Sequence, residues 1–193
     1  MTSLFAFFQA KKAAPAPATG EAAAIAAIEK AGGAVRKIAQ NDERVEVDFH
    51  LQGAAVKDEH VKPVAGLKKV MRVHLGRTPV TDAALAFLKP LAADLTELHL
   101  EGTKITDAGL ANLKGLTNLV YLNLYDTAVT DAGLKQLTGL KALKNIYVWQ
   151  TKVTKEGADQ FKAALPGVNV DRGWELPPPE PKKEEPKKEE KKQ

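Results

Sequence analysis

Cysteine is absent from the 193 residues, which removes disulfide staples, thiolate nucleophiles and thiolate-rich zinc or iron-sulfur sites together. The same absence leaves the compartment open between cytoplasmic and exported, because cysteine-free chains occur on both sides of a membrane. Ser3 is the only serine, so the repeat-bearing part of the chain has no serine nucleophile. No apolar run approaches the roughly 18 residues that a membrane-spanning helix requires, and no transmembrane segment is expected. Neither an HExxH pair nor a phosphate-cradling glycine loop is found.

A basic surface is missing as well. The net charge is +4, but Lys11 and Lys12 stand without acids in residues 1–20, and residues 174–193 hold six Lys against six Glu. Of 28 basic and 24 acidic residues, 20 and 18 are left between those ends. A nearly neutral body does not form a phosphate-neutralising track, so nucleic acid is not an expected partner.

Apolar residues are plentiful, at 44%, and they recur. The pairs Phe49/Leu51, Val73/Leu75, Leu98/Leu100, Leu122/Leu124 and Ile146/Val148 follow one another at 24, 25, 24 and 24 residues. They define five units over 46–69, 70–94, 95–118, 119–142 and 143–166. Each clear unit starts with period-two alternation and continues with apolar residues three apart, which predicts a short strand followed by a helix. Leu95, Leu98 and Leu100 point inward while Glu97, His99 and Glu101 point out. In the helical half, Leu110, Leu113 and Leu116 repeat the spacing of Leu134, Leu137 and Leu140. One such unit buries too little to fold alone, so stacking is required.

Small polar residues recur at the joints. Thr78, Thr103, Thr127 and Thr151 follow the strands, with Ala54 in the first unit, and are read as structural: each hydroxyl is expected to satisfy a turn amide. Thr106 and Thr130 are candidate N-caps. Asp82, Asp107 and Asp131, also structural, sit in the first helical turn, where a carboxylate meets the positive end of the helix dipole.

The ends differ from the middle. Leu4–Phe8 form a brief apolar patch; an ordinary leader is favoured over the remnant of a signal peptide. Residues 1–20 are taken as that leader and its proline-stiffened linker, 21–45 as an N-terminal helix and cap anchored by Ile25 and Ile28, 46–166 as the five repeats, and 167–173 as a C-terminal cap with Val168 and Val170. Residues 174–193, with PKKEE twice, have too few apolar side chains to offset the entropy of a fixed fold.

The units LHLEGTKITDAGLANLKGLTNL and LNLYDTAVTDAGLKQLTGL resemble bacterial leucine-rich repeats of the type abundant in planctomycetes. They are similar to the cysteine-containing subclass of F-box-associated proteins, with threonine in the cysteine position. IAAIEKAGGAVRKI resembles the cap that precedes such repeats, so the likeness covers about 22–172. It implies an α/β, right-handed solenoid with a concave parallel sheet and helices on the convex side. It also implies an interaction module, and it supplies no catalytic motif or cofactor. Lys57-Asp58-Glu59-His60 and Thr154-Lys155-Glu156-Gly157 depart from TDAG, as terminal units do.

Five strands in this register place three columns on the outer face. They read Asp48, Arg72, Glu97, Tyr121, Asn145; then His50, His74, His99, Asn123, Tyr147; then Gln52, Gly76, Glu101, Tyr125, Trp149. Neighbours in a column are expected about 5 Å apart. Arg72, Glu97, Glu101, Tyr121, Tyr125, Tyr147 and Trp149 are the candidate partner-binding residues, because rigid aromatics anchor interfaces at low entropic cost. A protein or peptide is the expected partner; a carbohydrate ligand and a purely structural spacer are the alternatives, and a monomer is compatible with either. His50, His74 and His99 form a column that suits a pH-sensitive contact surface, or else a metal site assisted by Glu97 or Glu101. A hydrolase using the concave His and Glu residues ranks last, since an open sheet does not exclude water.

Overall fold

The computed structural model describes residues 20–173; the leader and tail expectations fall on residues outside that range. Helix α1 (Gly20–Lys30) is followed by strand β1 (Ala34–Lys37), which pairs antiparallel with β2 (Val45–Asp48). From there every connection is parallel: β3 (Val70–His74), β4 (Glu97–His99), β5 (Tyr121–Asn123), β6 (Asn145–Tyr147) and β7 (Asn169–Asp171) add in chain order to one seven-stranded sheet. Convex-side turns α2 (Asp58–Val61), α3 (Asp82–Leu85), α4 (Asp107–Leu110) and α5 (Asp131–Gln136) return the chain, and α6 (Lys155–Ala164) is the one full helix among them. Most are a single α-turn relaxing into a 3₁₀ turn, which fits a chain that must cross the solenoid within half a repeat.

One continuous core runs from Ala24 and Ile28 on α1 to Val170 on β7. Val73, Leu98, Leu122 and Ile146 are fully buried, as are the turn residues Leu110, Leu113 and Leu116. Burying such a side chain contributes roughly 1.5–3 kcal/mol, and the neighbouring coil supplies most of the cover. At the N-terminal end Ile28 is fully buried whereas Ile25 is only half-buried, and Ala24 is the second buried anchor. Among the described residues no helix is long and apolar enough to cross a membrane.

The first unit departs from the sequence expectation. Val47, not Phe49, pairs with Val73, and Asp48, not His50, pairs with His74. The first spacing is therefore 26 residues, from Val47 to Val73, and the inward pair is Val47/Phe49. Leu51, expected in the core, is 72% exposed. The extra length is taken up by a 3₁₀ segment, His50–Ala55, which bends at Gly53 with φ of 47°. That turn is left-handed, where a residue without Cβ is least strained.

The threonine hydroxyls bond with a polarity opposite to the one expected. Each hydroxyl donates to a carbonyl three residues back: Thr78 to Leu75 and Thr103 to Leu100 at 2.6 Å, Thr127 to Leu124 at 2.7 Å, Thr151 to Val148 at 2.6 Å. These carbonyls lie where the chain leaves the sheet and the ladder no longer supplies them a donor. Only Thr151 also meets a turn amide, accepting from Val153 N at 3.2 Å.

Asp82, Asp107 and Asp131 bind the next repeat. Asp107 accepts the Thr130 amide at 2.8 Å and the Thr130 hydroxyl at 2.6 Å. Asp82 does the same to Thr106, Asp131 to Thr154, and Asp58 to Thr81 in the departing first unit. Each of those threonines in turn caps its own helix; Thr106 accepts from Ala108 N and Thr130 from Ala132 N, both at 3.2 Å. One carboxylate thus fixes the cap of the following coil, two bonds per interface, and stiffens the sheet on the other side.

Candidate binding face

The outward rows, in observed register, are Glu46–Arg72–Glu97–Tyr121–Asn145–Asn169 and Asp48–His74–His99–Asn123–Tyr147–Asp171. A third row, one pleat beyond the strands, is held by continued ladder bonds: Arg77 N to Glu101 O at 2.6 Å, Gly102 N to Tyr125 O at 2.8 Å and Asp126 N to Trp149 O at 3.0 Å. Glu101, Tyr125 and Trp149 therefore stand in register although no strand is assigned there. Glu46, missed from the sequence, takes the place expected of Asp48, and Asp48 that of His50.

Charge collects at the N-terminal half. Arg72 donates to Glu97 at 2.7 Å and to Glu46 at 3.1 Å, and the Glu97 bond raises its already high pKa. Asp48 accepts from the His50 amide at 2.9 Å and faces His50 Nδ1 at 2.7 Å. Burial pushes the Asp48 carboxyl up, but the His50 hydrogen bonds outweigh it and hold the group below its ordinary range.

The histidine column forms despite the shifted register. His50 and His74 stack with ring centroids 4.5 Å apart, and His74 and His99 follow at 4.6 Å with a 51° tilt. His99 reaches Tyr121 at 4.8 Å, and Tyr121 meets Tyr147 at 5.2 Å. Tyr125 and Trp149 form a separate pair at 5.1 Å. Burial, then the His74 charge, lowers the His99 pKa; burial likewise raises that of Tyr121. His60, the fourth histidine, lies on α2 and accepts the Lys57 amide through Nδ1 at 3.1 Å.

Two shallow hollows result. One of about 330 Å³ is bounded by Glu46, Asp48, Arg72, His74, Glu97 and His99. The other, about 230 Å³, lies between Asn123, Tyr125, Tyr147, Trp149 and Asp171. Trp149 is 47% exposed, an uncommon state for so large an apolar surface on a rigid strand margin.

Strand, turn and short helix, repeated in this order with an inward leucine ladder, make the protein a leucine-rich-repeat solenoid. The family model described as Leucine Rich repeat matches residues 93–114. No curated protein matches the chain in sequence. Among solved structures, an internalin (inlF) from Listeria monocytogenes str. 4b F2365 is similar over 60% of this chain and 32% of its own, at 19% identity and a TM-score of 0.49. A leucine-rich-repeat protein of Leptospira interrogans is similar over 57% of this chain and 33% of its own, at 21% identity and a TM-score of 0.42. Internalin C2 (inlC2) of the same Listeria strain is similar over 56% of this chain and 54% of its own, at 26% identity and a TM-score of 0.43. The chain spans about a third of the first two structures and about half of the third.

Proposed function

We propose that the protein is a non-enzymatic module that binds a protein or peptide through the outward face of its sheet. The observation that carries this is the Tyr125–Trp149 pair: two large rings 5.1 Å apart, one of them half exposed, held by backbone ladder bonds beside a hollow that Tyr147 also lines. A rigid aromatic step loses little entropy on contact, and neighbouring Asn123 and Asp171 offer hydrogen bonds at its rim. Charged groups at the other end of the face, Arg72 with Glu46 and Glu97, would set orientation and rate of encounter more than affinity. Both hollows are open to solvent, which favours contact with a surface over chemistry that needs water excluded.

The repeats are further assigned to the subclass that carries cysteine in F-box-associated proteins, with Thr78, Thr103, Thr127 and Thr151 in its place. In support, the four hydroxyls each satisfy an equivalent carbonyl, a role that a small side chain with one donor can fill.

A partner isolated with the full chain from lysate and envelope fractions tests the binding face. The Tyr125→Ala/Trp149→Ala double variant is expected to melt at an unchanged temperature and to bind that partner about 30-fold more weakly or worse, as loss of an aromatic anchor does. Unchanged affinity would move the interface off this face and leave the solenoid as a spacer.

A further inference from the structure

We infer that His74, His99 and Glu101 form a site for one divalent transition-metal ion of the zinc and copper type, with a coordination position left open toward solvent. Ion binding at these three residues needs no partner protein and is separate from the aromatic step.

The three donors come from neighbouring coils in fixed register. His74 and His99 are directly paired across β3 and β4, and the Arg77–Glu101 ladder bond holds Glu101 one pleat further on. Their donor atoms lie within 4.8 Å of one another. His74 Nε2 is 2.8 Å from Glu101 Oε1, and His99 Nδ1 is 3.8 Å from Glu101 Oε2. Ligands on one zinc ion, each roughly 2.0–2.2 Å from it, stand between about 3 and 4 Å apart. Small side-chain rotations therefore close the set, and the strands need not move.

Glu101 Oε2 is the sharpest pointer. It is buried and has no hydrogen-bond partner, and His99 Nδ1, at 3.8 Å, stands beyond hydrogen-bonding distance of it. A carboxylate oxygen shut from water without a donor is costly, and a cation shared with the imidazoles would satisfy it. Glycine at position 76 makes the approach feasible, because a Cβ there would lie 2.3 Å from Glu101 Oε1. Glu46, Asp48 and Glu97 add negative charge nearby against Arg72 and Arg36, which favours a cation. Imidazole donors select late first-row ions over magnesium or calcium.

A second triad, Asp48, His50 and His74, is less suited. Asp48 Oδ1 already serves the His50 amide and ring, and the His50 and His74 planes differ by only 26°, so their in-plane lone pairs run alongside each other. The 51° between His74 and His99 lets them converge.

Calorimetric titration of the tag-free full chain with Zn²⁺ at mildly alkaline pH is expected to show one saturable ion per chain, and Co²⁺ in its place to give the visible spectrum of a low-coordinate cobalt site. His99→Ala and Glu101→Gln should each weaken uptake about tenfold or more, while His50→Ala and His60→Ala change it less than about threefold. Gly76→Ala, which keeps all three ligands but displaces Glu101, should weaken it as well, and the thermal melt of each variant shows that the fold is kept. No saturable uptake, unchanged uptake in His99→Ala and Glu101→Gln, or loss in His50→Ala alone would overturn the site.

Discussion

Phe49→Ala should cost about 3–5 kcal/mol of folding free energy, whereas Leu51→Ala, two residues on, should change stability by less than about 0.5 kcal/mol. Phe49 is fully buried beneath the N-terminal hairpin, and its ring lies against Gly33 so closely that a Cβ on that glycine would sit 2.6 Å from Phe49 Cε1. Its removal opens a cavity at the end of the continuous core, beneath α1 and the β1–β2 hairpin. Leu51 is 72% exposed on the 3₁₀ segment and loses little. Urea unfolding followed by circular dichroism measures both. A cost for Leu51→Ala as large as that for Phe49→Ala would restore the 24-residue register for the first unit and unseat the observed pairing of Val47 with Val73.

That residue pair also shows where the sequence stops being legible. The stretch Val45-Val47-Phe49-Leu51 offers four alternating apolar positions, and period-two alternation by itself does not say which two of them meet Val73 and Leu75. The choice is made by tertiary contacts: pairing with β1, the bend at Gly53, and the neighbouring coil. In the later units one strand is bounded by one turn, no slip is available, and the rows through Glu97, Tyr121 and Asn145 stand as the spacing predicts. The histidine column was legible for a partly different reason. His50 is not paired with His74, yet the 3₁₀ turn that absorbs the two additional residues carries its ring back over His74.

Contacts between coils were less visible than those within them. Asp107 and Asp131 were legible as first-turn acids, but their partners lie 23 residues on, in another repeat, and only stacking brings them together. The direction of the Thr78 and Thr103 bonds was equally hidden, since a hydroxyl can donate or accept and the free carbonyl beside it is set by where the sheet ends. Glu101 is the functional counterpart: its place beside His74 depends on Gly76 in the preceding coil having no side chain. The sheet that carries the aromatic step and the candidate ion site thus depends for its rigidity on polar joints on the opposite side of the solenoid.

The strength of those joints can be read from a sign change. Gly133→Ala should destabilise the protein by about 1–3 kcal/mol, because the new Cβ would stand 2.2 Å from Asp107 Oδ1 and 3.0 Å from Leu110 Cδ1. The carboxylate cannot swing away without giving up the Thr130 amide and hydroxyl. Ala84 occupies the corresponding site opposite Asp58, and there both bonds to Thr81 persist; the preceding turn belongs to the longer first unit, which has a repeat on one side only. An interior coil lacks that freedom. Asp107→Ala alone should cost about 2–3 kcal/mol, as it leaves the half-buried Thr130 amide without its acceptor. On that background Gly133→Ala should become neutral or stabilising by up to about 1 kcal/mol, since the contact with the carboxylate is gone, the end of the flexible Leu110 side chain has only to give by a few tenths of an ångström, and alanine is the better helix former. The double-mutant cycle, measured by urea unfolding, should therefore give a coupling of at least about 1 kcal/mol. If Gly133→Ala were stabilising with Asp107 in place, the carboxylate would not be held as tightly as its two short bonds require, and the rigidity of the sheet above it would need another source.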